Sequence, residues 1–274
     1  MAKTGTKDEG RRTKKASRPE GHDGWDEYAP FYDWENARTL GRRDVPFWRN
    51  LAVNAGGTVV ELGCGTGRIA IPLGKAGVPL VGIDRSQPML ERARKRVRRG
   101  RLGDRVRLVR GDIRFLPLPD DSSAMVMAPY GMLQSLLREA DLTATLRDVH
   151  RVLVPGGLFG VELVADLPSW QEYKQRVSLK GWRNRRGGAH VTLTETVRQD
   201  REKRLTIFDQ EFVERAGARR RVQRFSLAFR TLSVPQMAKR LHKAGFDVTA
   251  LLGDYRGGPW DPRAEVWVIL AKKA

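Results

Sequence analysis

Short apolar runs alternate with amphipathic stretches along the middle of the chain. Continuous apolar runs that end in glycine or an acid predict buried strands, and apolar residues three or four positions apart predict helices. The predicted strands cover residues 58–62, 78–83, 106–109, 124–127 and 158–164. The predicted helices cover residues 69–76, 86–99 and 142–153, the last stopped by Pro155-Gly156-Gly157. This alternation indicates a doubly wound α/β fold with a mostly parallel sheet.

The periodicity changes after residue 168. Apolar and polar side chains alternate over 191–197, 204–213 and 222–229, with turn residues at 200–202 and 216–218. Such alternation predicts an antiparallel β meander of three strands. A helix over 234–244 and strands over 246–252 and 266–271 are predicted after it. We therefore expect one α/β domain over residues 25–274, with an antiparallel lid or substrate region inserted at 168–233.

The first 24 residues have a different composition. After Met1 they contain no apolar side chain larger than alanine, and seven basic and four acidic residues give them a charge of +3. Such a segment cannot offset its ordering entropy by burial, so we expect a disordered basic tail over 1–24. Aromatic residues begin abruptly at Trp25, which predicts that the following stretch packs on the domain.

The composition excludes several classes of protein. A single cysteine, Cys64, rules out a disulfide framework and a multi-cysteine zinc site. The chain has no apolar run of about 18 residues that would predict a membrane span. Its first 25 residues lack the apolar core of a secretory signal, so the expected location is the cytoplasm.

The charge is strongly positive. Lys and Arg number 51 against 32 Asp and Glu, a formal net charge of +19. The arginines cluster in three places: Arg92, Arg94, Arg96, Arg98, Arg99, Arg101, Arg105, Arg107, Arg110 and Arg114; Arg183, Arg185 and Arg186; and Arg219, Arg220, Arg221 and Arg224. The first group is expected on the solvent face of an outer helix and its flanks. The other two lie on the inserted region and raise the hypothesis of a nucleic-acid partner.

The sharpest motif is a glycine loop after the first predicted strand, Glu61-Leu62-Gly63-Cys64-Gly65-Thr66-Gly67-Arg68. Glycines at every second position permit positive φ and close approach of the backbone to a ligand. The following helix points its first N–H groups into the same crevice. Its G-x-G-x-G spacing differs from the G-x-G-x-x-G of dinucleotide-binding proteins. Cys64 is expected to be a small loop residue and not a nucleophile.

Acidic residues end the next two predicted strands. Asp84 ends the second, where a carboxylate can accept hydrogen bonds from ribose hydroxyls at the switch point of the sheet. Asp112 follows the third, where it can accept a hydrogen bond from an adenine amino group. Either acid alone is typical of a helix cap or turn. Acids at the carboxyl ends of consecutive strands together indicate a ligand site.

With these motifs the chain resembles the class I S-adenosylmethionine-dependent methyltransferases, and most closely bacterial small-molecule enzymes with an inserted antiparallel lid. The resemblance covers residues 25–165 and 234–272 and is carried by ELGCGTGR, GIDRS, GDIRFLP, APYGMLQSL and HRVLVPGGLFGVEL. It implies a Rossmann-like sheet of seven strands whose last strand is antiparallel. It also implies S-adenosylmethionine as the cofactor, S-adenosylhomocysteine as its product, and no metal.

The resemblance further implies roles for single residues. Glu61 and the three glycines would lie along the methionine half of the cofactor, Asp84 would bind the ribose, and Asp112 with Ile113 the adenine. Tyr32 would close over the cofactor from the N-terminal side. The implied cofactor-binding residues are Tyr32, Glu61, Gly63, Gly65, Gly67, Asp84, Arg85, Met89, Asp112, Ile113 and Ala128.

The chain lacks the motifs of several methyltransferase classes, which restricts the class of methyl acceptor. The stretch Ala128-Pro129-Tyr130 lacks the polar-Pro-Pro-aromatic motif of enzymes that methylate nucleobase amines. The fourth strand is followed by neither the cysteine of cytosine-C5 enzymes nor the paired glutamates of arginine methyltransferases, and its end lacks the acid of metal-dependent catechol enzymes. We therefore expect transfer to a nitrogen or oxygen of a small molecule by in-line displacement, in which positioning supplies much of the catalysis.

Candidate catalytic and substrate-binding residues come from the fourth strand and the lid. The motif places Tyr130 next to the transferred methyl group. His190 is a candidate general base, although a lone histidine on a strand is more often structural. The candidates for substrate contact are Trp170, Tyr173, Trp182, Glu211 and Arg230.

Two other functions stay open at this point. An RNA methyltransferase acting on tRNA or rRNA would use the basic surface. A catalytically silent module would keep the fold and bind cofactor or nucleic acid only, although the intact Glu61, Asp84 and Asp112 argue against it. The expected partner is a small-molecule acceptor, with nucleic acid as the alternative, no membrane, and a monomeric or homodimeric state.

Overall fold

The computed structural model describes residues 20–165, 170–183 and 188–274. The first elements are helices α1 (Trp25–Asn36) and α2 (Val45–Asn54). Next come β1 (Val59–Leu62), α3 (Ala70–Lys75), β2 (Leu80–Asp84), α4 (Gln87–Gly100), β3 (Val106–Arg110), β4 (Ser123–Ala128), a 3-10 turn (Met132–Ser135), α5 (Glu139–Val152) and β5 (Leu153–Val164). The chain continues with β6 (Tyr173–Trp182), β7 (His190–Asp200), β8 (Leu205–Ala216), β9 (Arg219–Arg230), α6 (Val234–Lys243), β10 (Phe246–Leu252) and β11 (Val266–Lys273).

Seven strands form the main sheet, in the order β10-β11-β5-β4-β1-β2-β3. The pairings among β1 to β5 are all parallel, and β11 runs antiparallel to both β5 and β10. The predicted doubly wound sheet with an antiparallel last strand is therefore confirmed. The strand order reverses between β1 and β4, and a crevice opens at their carboxyl ends, where ligands bind in open α/β sheets.

Helices cover both faces of this sheet, which explains why its central strands are continuously apolar. All four residues of β1 are buried, and so are five of the six residues of β4. On α4, Met89, Leu90, Ala93 and Val97 are buried at helical spacing while the residues between them carry charge. Ser86 caps this helix by accepting a hydrogen bond from the Met89 N–H. In the described part of the chain, no helix combines the length and the apolar character that crossing a membrane requires.

The start of β5 differs from the prediction. Helix α5 ends at Val152, and the strand begins directly at Leu153 and includes Pro155-Gly156-Gly157, which were predicted to lie between helix and strand. The register with β4 shifts between Ser123 and Met125, and Gly156 has a φ of +71°. The glycines therefore form a β-bulge within the strand. Pro-Gly-Gly is compatible with either a bulge or a turn, so the local sequence does not distinguish the two.

The second sheet has four strands, in the order β6-β7-β8-β9, where three were predicted. The three predicted strands correspond to β7, β8 and β9. The missed strand, β6, lies at the edge of the sheet, is mostly exposed, and shifts register twice against β7. Its sequence, YKQRVSLKGW, therefore lacks the alternation that a half-buried strand shows.

Helix α1 lies between the second sheet and the main domain. The Phe31 ring stacks on Phe212 of β8 with centroids 4.1 Å apart, and Phe212 stacks in turn on Phe225 of β9. Tyr28, Trp34 and Met89 of α4 belong to the same apolar cluster. The aromatic segment that begins at Trp25 thus packs as predicted.

Residues 20–24 form a turn that leads into α1, although they were predicted to belong to a disordered tail. The Trp25 indole N–H donates to the Gly21 carbonyl over 3.1 Å, and Glu20 pairs with Arg138. These contacts explain why residues 20–24 are ordered, since the packed Trp25 and the Glu20–Arg138 pair hold them against the domain. Residues 1–19 lie outside the described residues.

Candidate active site

The glycine loop follows β1 at the switch point of the sheet. Gly63, Gly65 and Gly67 have φ values of +64°, +53° and +80°, a region that favours glycine. A Cβ added to Gly63 would lie 1.9 Å from the sulfur of Met132. The loop therefore tolerates glycine alone at this position, and its backbone forms the floor of the crevice.

Asp84, at the end of β2, is hydrogen-bonded to this loop. Its Oδ2 accepts from the Gly65 N–H at 2.7 Å, and its Oδ1 accepts from the Ser86 N–H at 2.8 Å. Desolvation raises the pKa of Asp84, although these two N–H groups oppose the shift. The carboxylate is thus fixed between the two loops that face the crevice.

Asp112, beyond β3, has basic neighbours. Arg114 Nε donates to Asp112 Oδ1 and its Nη2 donates to Oδ2, and an Arg85 Nη lies 3.6 Å from Oδ2. The hydrogen bond from Arg114 is the main reason that the pKa of Asp112 is lowered. The adjacent Ile113 is buried and belongs to the main core.

A cavity of about 400 Å³ lies over these loops. It brings together most of the sequence-predicted cofactor residues with one of the two catalytic candidates: Tyr32, Glu61, Gly63, Gly65, Asp84, Arg85, Met89, Asp112, Ile113 and Tyr130. Gly67 and Ala128 do not line it: Gly67 faces Ile71 and Ala93, where an added Cβ would lie 3.2 and 3.5 Å from their side chains, and Ala128 is fully buried within β4. The segment 20–26 and Phe229 of β9 form part of its wall.

The lid residues predicted to contact substrate lie elsewhere. His190 pairs in register with Arg215 at one end of the second sheet, whereas Phe229, which lines the cavity, pairs with Thr206 at the other end. About nine residues at roughly 3.3 Å each separate these ends along β7, on the order of 30 Å. His190 packs edge-on against Trp182 instead, with ring centroids 5.5 Å apart.

The other candidates of this group contact the sheet itself or α5. Trp170 packs edge-on against Phe208, the Tyr173 hydroxyl donates to Glu195, Glu211 accepts from Arg224, and Arg230 pairs with Glu139. None of them lines the cavity. Alternation along a strand predicted that they lie on the sheet but did not predict which end of it faces the crevice.

Sequence reasoning missed a buried ion pair beside the site. Arg68 donates two hydrogen bonds to the Asp44 carboxylate, at 2.5 and 2.7 Å, and its guanidinium lies 5.8 Å from the centre of the Tyr130 ring. Asp44 is fully buried. The signal available was an arginine directly after the glycine loop, but its partner lies 24 residues earlier in a segment without a motif.

A second missed group joins α1 to the glycine loop. Arg96 was expected on the solvent face of α4. Its guanidinium instead donates to the Thr66 carbonyl at 2.9 Å and pairs with Asp33 of α1 at 2.6 Å. The Thr66 hydroxyl donates to the other Asp33 oxygen. Arg96 of the outer helix therefore holds the glycine loop to α1.

Tyr130 occupies a special backbone position after β4. It is a non-glycine residue with a φ of +49°, and its N–H donates to Glu162 Oε2 of β5 at 2.9 Å. The other Glu162 oxygen accepts from the Tyr255 hydroxyl at 2.6 Å. The buried Glu162 thus stabilises a conformation that tyrosine rarely adopts, and the Tyr130 side chain stays 39% exposed on the cavity.

Glu61 tests whether these residues suit S-adenosylmethionine. It lines the cavity, yet its Oε2 is buried without a hydrogen-bond partner. Burial raises the pKa of Glu61 to about 8, against the opposing charge of Arg68. An unpaired buried carboxylate oxygen requires a donor, and the ammonium group of the cofactor's methionine half is a charged donor. Asp84 offers acceptors for ribose hydroxyls, so the residues fit this cofactor.

Comparison with known proteins agrees with this site. Residues 59–157 match a methyltransferase domain family. The demethylmenaquinone methyltransferase of Lactobacillus johnsonii is 33% identical over 156 residues, which are 54% of this chain and 62% of that protein. The cypemycin N-terminal methyltransferase of a Streptomyces species is 29% identical over 221 residues, 80% of this chain and 84% of that protein. The chain spans less than two thirds of the first curated relatives that it matches.

A solved structure extends the likeness to nearly the whole chain. The CcbJ methyltransferase from Streptomyces caelestis superposes with a TM-score of 0.73 at 24% identity, over 91% of this chain and 97% of that one. At this identity the likeness is one of fold, and it includes the second sheet because almost all of both chains is covered. Residues 59–157 thus match a methyltransferase domain family, and nearly the whole chain has the fold of a solved methyltransferase.

Proposed function

We propose that the protein transfers the methyl group of S-adenosylmethionine to a nitrogen or oxygen of a small molecule. The observation that carries this proposal is one cavity lined both by the proposed cofactor residues and by Tyr130. Its volume of about 400 Å³ falls within the range of small-molecule sites, about 300–1,000 Å³. The cypemycin relative is an N-terminal methyltransferase, which supports nitrogen as the acceptor atom.

S-adenosylmethionine supplies a methyl group that its positively charged sulfur already activates. The residues of the chain therefore need only to bind, orient and exclude water. Glu61 holds a cationic group, Asp84 holds hydroxyls, and the segment 20–26 covers the cavity from the solvent side. We assign Tyr130 to the wall next to the acceptor, where Glu162 and Arg68 fix its position.

The positions of the lid arginines support an RNA substrate less strongly than their number in the sequence does. From the two arginine clusters of the lid, the structure describes Arg183, Arg219, Arg220, Arg221 and Arg224, and none of these five lines the cavity. Three of them lie around the far hairpin turn of β8 and β9. Arg185 and Arg186 lie outside the described residues.

The test combines binding and transfer. Calorimetry with S-adenosylmethionine measures cofactor binding by the wild type and by Asp84→Ala, for which we expect a loss of at least about tenfold in affinity. Incubation with methyl-labelled cofactor and a library of small amines and alcohols, beside a total tRNA fraction, measures transfer. Label in the small molecules supports the proposal, and label in tRNA with a steep salt dependence overturns it in favour of RNA.

A further inference from the structure

Polar side chains are buried where the second sheet packs on α1. Glu195 of β7 and Gln210 of β8 lie opposite each other in register. Glu195 follows Val191 and Leu193 at alternate positions, so all three share the face that packs on α1. Glu195 is 9% exposed and Gln210 5%. A polar group thus interrupts an otherwise apolar and aromatic interface.

This group contains more acceptors than donors. Gln210 Nε2 donates to Glu195 Oε1 at 2.9 Å, and the Tyr173 hydroxyl donates to Glu195 Oε2 at 3.4 Å. Gln210 Oε1 is buried with no hydrogen-bond partner, and the same holds for Oε2 of Glu35 on α1. Buried acceptors left unpaired are costly and rare in native proteins, so a donor from outside the chain is expected to complete the group.

The group also contains two carboxyl groups, on Glu35 and Glu195. Burial raises the pKa of Glu35 to about 7, and the nearby carboxylate of Glu195 adds to the shift. Within the described ranges, neither carboxylate forms an ion pair with a lysine, arginine or histidine. The missing partner therefore needs N–H donors and a positive charge, which are the properties of a protonated amine.

The group lies close to the cofactor cavity. The Tyr28 hydroxyl is a hydrogen-bonding neighbour of Glu35, and the Tyr28 ring packs edge-on against Tyr32, with centroids 5.6 Å apart. Tyr32 and Tyr130 both line the cavity. Desolvation raises the pKa of Tyr130, and the Glu35 carboxylate is one of the charges that add to the shift. Glu35 thus lies on the lid side of these tyrosines.

We propose that Glu35, Glu195 and Gln210 form a recess that binds an amine of the methyl acceptor. The inference rests on the proposed methyl transfer and restricts its acceptor to molecules that carry a primary or secondary amine. Glu35 is the carboxylate with an unpaired oxygen, whereas both oxygens of Glu195 already accept hydrogen bonds, from Gln210 and from Tyr173. The carboxylates bind and orient the amine side of the acceptor next to Tyr130.

The experiment compares two probes of one shape. Benzylamine carries a positive charge at neutral pH and benzyl alcohol carries none, and both suit an aromatic cavity. Calorimetry on the full chain saturated with S-adenosylhomocysteine measures the affinity of each. We expect benzylamine to bind about tenfold more tightly or better, and Glu35→Gln to abolish this preference. The control is Glu27→Gln, the same substitution at an exposed position of the same helix, which should keep it.

Each result decides one question. Equal binding of the two probes by the wild type, or a preference that survives Glu35→Gln, overturns the amine recess. Unchanged affinity of Glu35→Gln for S-adenosylhomocysteine shows that the variant is folded, and it separates this test from the proposed function. If S-adenosylhomocysteine binds to neither the wild type nor the variants, the proposed methyl transfer is contradicted. The proposal of an amine recess, which rests on it, is then contradicted as well.

Discussion

The Thr66 hydroxyl donates a 2.7 Å hydrogen bond to Oδ1 of Asp33. Thr66 lies in the glycine loop and is fully buried, and Asp33 lies on α1. This bond and the Arg96 contacts to both residues connect the glycine loop to α1. The loop and the helix are therefore held as one unit.

Removing that hydroxyl should weaken cofactor binding while the fold persists. Thr66→Val keeps the shape of the side chain but leaves Asp33 Oδ1 without its donor. A lost bond to a charged group is worth about 1.5–3 kcal/mol, so we expect the Kd for S-adenosylmethionine to rise by roughly tenfold or more. Thr249→Val, which removes an exposed hydroxyl bonded to the Leu270 carbonyl on β11, is the control and should change little. Equal affinities of the two variants would contradict this role.

Cofactor binding should release a proton at neutral pH. The pKa of Glu61 is raised to about 8 by burial, so at pH 7 its carboxyl group is mostly protonated before binding. A cationic ligand group favours the ionised form, and binding therefore expels close to one proton. Calorimetry at pH 7 in buffers of different ionisation enthalpy measures this number. Glu61→Gln should bind weakly and release none, and proton uptake by the wild type would refute the assignment.

The same pKa predicts the pH dependence of stability without cofactor. The folded pKa of Glu61 lies above the unfolded value of about 4.3, so the folded state binds more protons between these values. Stability from this group is present below about pH 4 and decreases as the pH rises toward 8. Denaturation by urea at pH 5.5 and pH 8 should show a smaller loss of stability in Glu61→Gln than in the wild type. An identical loss in both would mean that Glu61 titrates normally.

Closure by the segment 20–24 should require glycine at position 21. A Cβ there would lie 1.6 Å from the Ser135 carbonyl oxygen, so Gly21→Ala must displace this segment from the cavity wall. We expect S-adenosylhomocysteine to dissociate several-fold faster, measured by stopped-flow fluorescence of nearby Trp25. Gly103→Ala, at a position with open space around it, should dissociate at the wild-type rate. Retention of slow dissociation in Gly21→Ala would show that the segment does not cover the ligand.

Tyr130 and His190 should differ sharply in turnover. Tyr130 lines the cavity and His190 packs on Trp182 far along the second sheet. Once an acceptor is found, we expect Tyr130→Ala to reduce kcat/KM by about 10- to 100-fold through lost positioning and His190→Ala to leave it within about twofold. A large loss of kcat in His190→Ala with normal stability would restore its role as a general base.

The parts of the fold that the sequence predicts are those governed by local periodicity. The buried strands around Glu61 and Asp84 are continuous apolar runs between helices, and their carboxyl ends meet because parallel strands share direction. The position of the candidate site can be predicted because Glu61 and Asp84 both lie at that edge of the sheet. The edge strand β6 could not be predicted, because an exposed strand carries no alternation. The contacts of Arg96 and Arg68 could not be predicted either, since each joins segments more than 20 residues apart.

The position of α1 between two layers has a thermodynamic consequence. On one side Asp33 is bonded to the glycine loop, and on the other Phe31 stacks on Phe212 of the second sheet. Any displacement of the lid that admits an acceptor also acts on the glycine loop, which we propose to hold the cofactor. We therefore expect heterotropic linkage: the cofactor increases the affinity for the acceptor, and the acceptor must increase the affinity for the cofactor by the same factor.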